Sequence, residues 1–251
     1  MIPAAPGPVA PADQDAVALP FLADMYGLQL DHVAALLGVT TRQSRALVAR
    51  WVSRKLAESG TLSPGPPWVW LTRAGLRAVG SRYPAAPPAL PRLAHLRAVI
   101  AVRLALESVT AYQNAGAHWR SERHLRARIG GRVGTRDHLP DAEVHWPDAP
   151  APGPAPVWAG ECWAIEAELT PKTVARTTAI MREVLTRTGD YGCPAAQARV
   201  PGVPPRHVRV VYLCSPAAAG TVGRARDALG SLGARVEIRP LPASAYLAGA
   251  R

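Results

Sequence analysis

Apolar residues in the first third of the chain recur at helical spacing, three and four positions apart. They predict a short helix from about Asp15 to Tyr26, although Pro20 lies inside it, and a second helix over residues 31–37 that ends at Gly38. A third helix is predicted from about Arg42 to Leu56, because apolar side chains form a stripe along one side of it while arginines and alanines line the other.

The segment after the third helix changes from turn-rich to apolar. Residues 58–67 predict a loop, WVWL at 68–71 predicts a short strand, and Thr72 is placed to cap a fourth helix that starts at Arg73. Helix, tight glycine turn, basic helix, loop and strand is the order of a winged helix-turn-helix. The sequence therefore predicts this fold for residues 14–82.

Proline marks the limits of the predicted domains. Residues 83–91 lie in a stretch with several prolines, which is typical of a stiff linker between domains. We therefore expect a second domain over residues 92–251. The proline-rich residues 1–13 predict a disordered arm.

Helical and strand-like patterns alternate in the second domain. It opens with a predicted helix over 93–106, a β-leaning stretch at 108–112 and a basic helical segment at 119–128. Further strands are predicted at 142–146, 163–169, 208–214 and 234–241, with helices at about 173–188 and 217–231. This order predicts a mixed α/β fold, with a mixed sheet flanked by helices.

The net charge of the chain indicates the kind of partner that it binds. The formal net charge is +11, which favours a polyanion and nucleic acid over a membrane. Lys55 and Lys172 are the only lysines among 29 basic residues, so a GC-rich genome also contributes to the arginine content. The three cysteines lack zinc-site spacing, no apolar run approaches the ~20 residues of a membrane span, and the start lacks a secretory signal. We expect a cytoplasmic protein that does not enter membranes.

The third predicted helix has the composition of a DNA-reading helix. An α-helix fits the major groove, and long donors on its exposed side can reach bases and phosphates. The candidate DNA-binding residues are Arg42, Gln43, Arg45, Arg50, Arg54 and Lys55. Gln43 is a candidate adenine reader and Arg42 or Arg45 a guanine reader, while Arg50 and Arg54 are expected on phosphate. A solvated basic face, or a protein-docking module, is the alternative.

Two carboxylates on one predicted strand provide candidate chemistry. Glu166 and Glu168 share a face of the strand, and Asp141 begins the preceding strand, where pairing brings it beside Glu166. Ionised carboxylates are costly to bury unpaired, but Mg²⁺ or Mn²⁺ would hold them together. Lys172 follows at the mouth of the next helix, where it can stabilise phosphorane charge or orient water.

A weaker candidate lies outside this group. Glu122 sits among arginines in WRSERHLR and is added as a candidate catalytic residue. His138 and His145 flank the Asp141 segment and are interpreted as structural. The alternative for the whole cluster is an edge strand with a solvated acidic face and an unrelated lysine.

The motifs HLPDAEVHW, WAIEAELTPKTVART and VVYLCSP, behind the predicted winged helix, resemble those of actinobacterial replication-relaxation proteins, a family associated with plasmids and integrative elements. The second domain is also similar to the PD-(D/E)xK nucleases, whose restriction-endonuclease-like core is a mixed sheet between helices. That resemblance implies that Asp141 and Glu166 match the motif acids. Glu168 occupies the position of the motif lysine, which Lys172 would replace from the following helix.

These observations lead to a function hypothesis. The chain is expected to be a DNA-binding protein of a plasmid or mobile element, with metal-dependent nicking or processing at Asp141, Glu166, Glu168, Lys172 and Glu122, the metal being held by Asp141, Glu166 and Glu168. The alternative is a non-catalytic replication accessory protein or transcriptional regulator with a degenerate nuclease fold. A homodimer and contacts with other replication or transfer proteins are left open.

Overall fold

The computed structural model describes residues 10, 13–129, 138–147, 160–188 and 205–246. Nearly all of the predicted N-terminal arm, most of the proline-rich segment after Trp146, and Cys193 lie outside these residues. The chain forms two compact units, one of residues 1–108 with 243–251 and one of residues 109–242. The division follows the long helix that was assigned to the second domain, rather than falling at the predicted linker.

The N-terminal unit combines five helices with a small antiparallel sheet in its described part. Its elements are α1 (Gln14–Asp24), β1 (Leu28–Gln29), α2 (Leu30–Leu37), α3 (Thr41–Ser53), β2 (Ala57–Gly60), β3 (Trp68–Leu71), α4 (Arg73–Ala78) and α5 (Leu93–Glu107). The sheet order is β1-β3-β2. Sequence analysis predicted β3 but missed β1 and β2, because two- and four-residue strands with mixed polarity carry too little alternation to be recognised.

Local capping chemistry sets the helix ends in this unit. Gly38 takes the left-handed conformation (φ 63°) that ends α2. The Thr40 side chain accepts from the Gln43 backbone N–H, and the Gln43 side chain accepts from the Thr40 N–H, which completes a capping box at the start of α3. Thr72 caps α4 by accepting from Gly75 N, as predicted.

Helix α5 belongs to the N-terminal unit because a buried arginine ties it there. The guanidinium of Arg97 forms an ion pair with Asp31 at 2.7 Å and hydrogen-bonds Gln29 and the Tyr246 carbonyl. A buried charge requires such partners. These contacts join α5 to α2, β1 and the segment around Tyr246.

A buried histidine makes this unit sensitive to acid. His32 is almost fully buried, with its Nε2 beside the Ser244 carbonyl oxygen. Burial lowers the pKa of His32 to about 4. The charge of Arg97 also lowers this pKa, whereas the charge of Asp31 raises it. Between about pH 4 and pH 6.5, the unfolded chain therefore binds a proton at His32 that the folded chain does not bind.

We expect acid to weaken the folded state through His32. Since its pKa is lowered from 6.5 to about 4, stability from this group is present above pH 6.5 and falls by about 2–3 kcal/mol as pH drops towards 4. Chemical denaturation across this range should show a steeper loss for wild type than for His32→Gln. Identical pH slopes in the two proteins would contradict the assignment.

The C-terminal unit contains a five-stranded mixed sheet. Its elements are α6 (Thr110–Asn114), β4 (His118–Ser121), α7 (Glu122–Arg128), β5 (Ala142–His145), β6 (Cys162–Glu168), α8 (Val174–Thr186), β7 (Arg209–Cys214), α9 (Pro216–Asp227) and β8 (Val236–Pro240). The order is β4-β5-β6-β7-β8. Strands β4 to β6 are antiparallel and β6 to β8 are parallel, which confirms the predicted mixed α/β class.

Two predictions in this unit were wrong. The β-leaning stretch at 108–112 contributes to the short helix α6. The segment at 119–128, predicted to be helical throughout, begins as β4 and becomes α7 only after Ser121, whose side chain accepts from His124 N as an N-cap. Pairing of β4 with β5 overrides the local helical preference of these residues.

Helices α8 and α9 pack on one face of this sheet. Ala164 and Tyr212 on the strands share a core with Met181 and Leu185 of α8 and Val222 of α9. Residues of β5 and β6 on the same face as Ala164 carry most of the buried acids. The apolar core therefore borders a polar region on one side of the sheet.

Candidate functional site

Strand pairing brings the predicted acids to one face of the sheet. Antiparallel pairing sets Glu143 opposite Ala164 and Ala142 opposite Ile165. Extending this register by one residue sets Asp141 opposite Glu166, and opposite residues share a face. The predicted neighbourhood of Asp141 and Glu166 agrees with this register.

Glu166 is the centre of the predicted site. Its side chain is almost fully buried, and its Oε1 lies 2.6 Å from Nε2 of His138. Burial raises the pKa of Glu166, and the charge of Asp141 raises it further. The charges of His138 and Lys172 act in the opposite direction. The His138 backbone N–H also donates to Oε1 of Glu183 at 2.8 Å, which anchors the histidine to α8.

The same acids shift the pKa of His138. Burial alone would lower the pKa of His138, but the charges of Glu166, Asp141 and Glu183 outweigh it and raise the pKa. The imidazolium form is therefore favoured beside Glu166. His138, interpreted from sequence as structural, contacts the candidate site directly.

The other predicted residues surround Glu166. Oδ2 of Asp141 accepts from the Ala167 backbone N–H at 2.8 Å. Glu168, also buried, forms an ion pair with Lys172, whose ammonium group reaches solvent. Burial raises the pKa of Tyr212 on β7, and the charges of Glu166, Glu168 and Asp141 raise it further. Asp141, the two acids of β6 and Lys172 thus lie in one region of the C-terminal unit.

The predicted three-carboxylate metal site is not assembled. A metal site requires ligand atoms that lie close together. In the described part of the chain, the carboxylate oxygens of Asp141, Glu166 and Glu168 do not all lie within 4.8 Å of one another. The oxygen of Glu168 is held by Lys172 instead. Asp141 and Glu166 remain as the two candidate ligands, and Mg²⁺ commonly takes one or two carboxylates and completes its shell with water and phosphate.

Glu122 lies at a helix start. It is the first residue of α7, its backbone N–H donates to the Asp141 carbonyl, and its carboxylate forms an i,i+4 ion pair with Arg126. An acid in the first turn also complements the helix dipole. These contacts stabilise the start of α7, and the catalytic role of Glu122 stays a prediction.

A second polar cluster surrounds Glu143, which is 0% exposed. Oε1 accepts from Nε of Arg206 at 2.6 Å and lies 2.8 Å from Nε2 of His207. Oε2 accepts from the second Arg206 nitrogen at 2.9 Å and lies 2.9 Å from Nε2 of His145. Burial alone would raise the pKa of Glu143, but these hydrogen bonds and the nearby charges hold it far below its usual range.

The buried ring of His207 lies between two acceptors. Its Nε2 faces the Glu143 carboxylate and its Nδ1 lies 3.2 Å from the Val184 carbonyl oxygen. The ring is 0% exposed. Glu143 is therefore held between the guanidinium of Arg206 and the His207 ring.

Cys162 and two histidines continue this cluster towards solvent. Sγ of Cys162 lies 3.6 Å from Nε2 of His145, and the exposed ring of His118 stacks on His145 at 5.2 Å between centroids. Burial raises the pKa of Cys162 to about 12, with a further contribution from Glu143. Glu143, His145 and Cys162 form a group of three with all ligand atoms within 4.8 Å.

The exposed side of α3 carries the predicted DNA-binding residues. Arg42, Gln43, Arg45, Arg50, Arg54 and Lys55 are all exposed. Arg50 and Arg54 form ion pairs with Asp15 of α1, which also accepts from Nε1 of Trp51. Gln43 uses its side-chain oxygen in the capping box, which competes with the predicted contact with adenine.

Comparisons with known proteins assign no family. Neither a protein-family model nor a curated protein matches the chain. Among solved structures, human N-acetylserotonin methyltransferase in complex with SAM aligns at 14% identity with a TM-score of 0.23. The alignment covers 92% of this chain and 61% of that protein, so this chain spans less than two thirds of its length. A TM-score this low supports no conclusion on fold or function.

No helix in the described parts of the chain has the length and apolar character needed to cross a membrane.

Sequence analysis missed the cluster around Glu143. Arg206 and His207 are more than 60 positions away from Glu143 and belong to no recognisable motif with it. One signal was available in the sequence. Glu143 and His145 are two positions apart on an otherwise apolar strand, so their side chains share one face of it.

Proposed function

We propose that this protein binds DNA through helix α3 and that its N-terminal unit is a winged helix-turn-helix. The order α1, β1, α2, α3 and the β2–β3 hairpin supports this assignment, since α3 would be the recognition helix and the hairpin the wing. The resemblance to replication-relaxation proteins makes plasmid or mobile-element DNA the proposed substrate.

The exposed basic side of α3 is the observation that carries the proposal. Arg42 and Arg45 lie near the N-terminus of the helix, where recognition helices contact base edges. No acid occurs in residues 41–57, so phosphates meet no repulsion from this segment. Arg50 and Arg54 can contact DNA only in exchange for, or together with, their ion pairs with Asp15.

Removal of the two leading arginines is expected to weaken DNA binding. The double substitution Arg42→Ala and Arg45→Ala should reduce affinity by at least about 30-fold, because each of the two lost groove contacts contributes about 1–3 kcal/mol. Binding would be measured by fluorescence anisotropy on DNA fragments from the source genome, at several salt concentrations. The salt slope should also fall.

A matched control separates this effect from loss of charge. Arg182 on α8 and Arg224 on α9 are also exposed, and replacing both with alanine changes the net charge equally. If both double variants bind DNA as wild type does, α3 is not the DNA-binding surface. Binding that is insensitive to salt would favour a protein-docking module instead.

A second candidate function is metal-dependent cleavage of DNA by a restriction-endonuclease-like C-terminal unit. The proximity of Asp141 and Glu166 on adjacent strands favours it, because a buried acid with a raised pKa beside a second acid is typical of a functional site. When bound, Mg²⁺ would supply Lewis-acid activation of the phosphate and of an attacking water.

The chain's own residues would divide the remaining tasks. Asp141 and Glu166 would hold the ion, His138 would orient the Glu166 carboxylate, and Lys172 would face phosphate charge from the solvent side of its ion pair with Glu168. Because each of these acids already has an internal partner, the same geometry also favours a degenerate site that binds DNA without cutting it. A nicking assay separates the two candidates.

A further inference from the structure

We infer that Glu143, His145 and Cys162 form a binding site for a transition-metal ion of the Zn²⁺ class, separate from the Asp141–Glu166 pair. The three side chains present an oxygen, a nitrogen and a sulfur within 4.8 Å of one another on one face of the sheet. Mixed sulfur and imidazole donors select zinc-like ions, whereas Mg²⁺ prefers oxygen alone.

The spacing of these atoms matches a tetrahedral ion. With Zn–S of about 2.3 Å and Zn–N of about 2.0–2.1 Å, the two ligand atoms on a tetrahedral zinc lie about 3.6 Å apart. Sγ of Cys162 and Nε2 of His145 are separated by 3.6 Å. Oε2 of Glu143 lies 2.9 Å from the same nitrogen, so a small outward movement completes the third edge.

The backbone holds these ligands in place. His145 and Cys162 are direct cross-strand partners on β5 and β6, and His118 on β4 is the direct partner of His145 on its other side. The row His118, His145 and Cys162 therefore crosses three adjacent strands. The exposed ring of His118 stacks on His145 and lies outside the group of three, so water would take the fourth position.

The surrounding residues set the chemistry of binding. Arg206 and His207 fix the orientation of the Glu143 carboxylate, as partners of metal ligands commonly do. Binding converts the Cys162 thiol to a thiolate, and its proton passes to solvent. His145 donates the Nε2 lone pair and carries its hydrogen on Nδ1. The positive charge of Arg206 beside Glu143 lowers the affinity below that of an all-cysteine zinc site.

Cobalt(II) is the direct probe of this site. Metal-free full-length protein titrated with cobalt chloride should bind one ion per chain with thiolate-to-cobalt charge-transfer absorption. Zinc should bleach this absorption, and excess Mg²⁺ should leave it unchanged. Cys162→Ser should abolish it, whereas the matched thiol control Cys214→Ser should retain it. Absence of the absorption in wild type, or its persistence in Cys162→Ser, overturns the inference.

A second variant protects the test against misfolding. His145→Gln changes a partly exposed side chain and should weaken cobalt binding at least about 10-fold while circular dichroism stays unchanged. Unchanged cobalt affinity in folded His145→Gln would overturn the site as well. Nicking activity plays no part in these readouts, so the site and the proposed DNA chemistry stand or fail separately.

Discussion

Glutamine in place of Glu143 is expected to destabilise the C-terminal unit by about 3–5 kcal/mol, the typical effect of breaking a buried ion pair by removing one partner. The substitution keeps the size of the side chain but removes its charge. Arg206 and the buried ring of His207 would then face a neutral amide. Urea denaturation followed by circular dichroism measures the effect.

A partly exposed acid provides the matched control for this substitution. Glu237 on β8 pairs with Arg239 and Arg209 at the surface. Glu237→Gln should change stability by less than about 1 kcal/mol, because exposed ion pairs contribute little. Equal effects of the two substitutions would show that the Glu143 cluster does not stabilise the fold.

The same cluster gives a pH dependence with a defined sign. The pKa of Glu143 is lowered from its unfolded value of 4.5, so the unfolded chain binds the proton more readily. Its stabilisation is complete above pH 4.5 and is lost progressively as pH falls below that value. The stability difference between wild type and Glu143→Gln should therefore shrink in acid.

Asparagine in place of Asp141 is expected to abolish Mg²⁺-dependent nicking if the C-terminal unit is a nuclease. The substitution keeps an oxygen that can accept from Ala167 N but removes the charge that a divalent ion requires next to Glu166. Conversion of supercoiled plasmid to open circles, with Mg²⁺ or Mn²⁺, measures the loss. DNA affinity, measured in parallel, should stay unchanged.

Asp227→Asn provides the control for this assay. Asp227 lies exposed at the end of α9 and pairs only locally, with Arg226. This variant should nick DNA at the wild-type rate. Wild-type protein that leaves plasmid supercoiled with both metals would reject the enzyme, and the non-catalytic DNA-binding protein would remain.

Most of the elements could be predicted because their signals are local. The helices α2, α3, α4 and α8 begin and end at residues whose caps are readable within a few positions, such as Gly38 and Thr72. The strand β7 is apolar after its first residue, and β6 is apolar except for its two acids. The failures at 108–112 and 119–128 came from segments whose state depends on pairing with β5 or on packing.

The candidate acids were predictable for a similar reason. Alternation along β6 assigns Glu166 and Glu168 to one face without knowledge of any partner strand. Their partners were not predictable. Glu168 is paired with Lys172, and nothing in the spacing distinguishes a free acid from one held by a lysine four residues away.

The sequence by itself determined the mixed α/β class, the basic side of α3 and the shared face of the acids, because periodicity, capping and charge act over a few residues. Only the tertiary structure decided that α5 joins the N-terminal unit, that Glu143 lies between Arg206 and His207, and that His145 meets Cys162. These contacts depend on strand register and on chain segments far apart in sequence, and burial then makes each unpaired charge costly enough to require its partner.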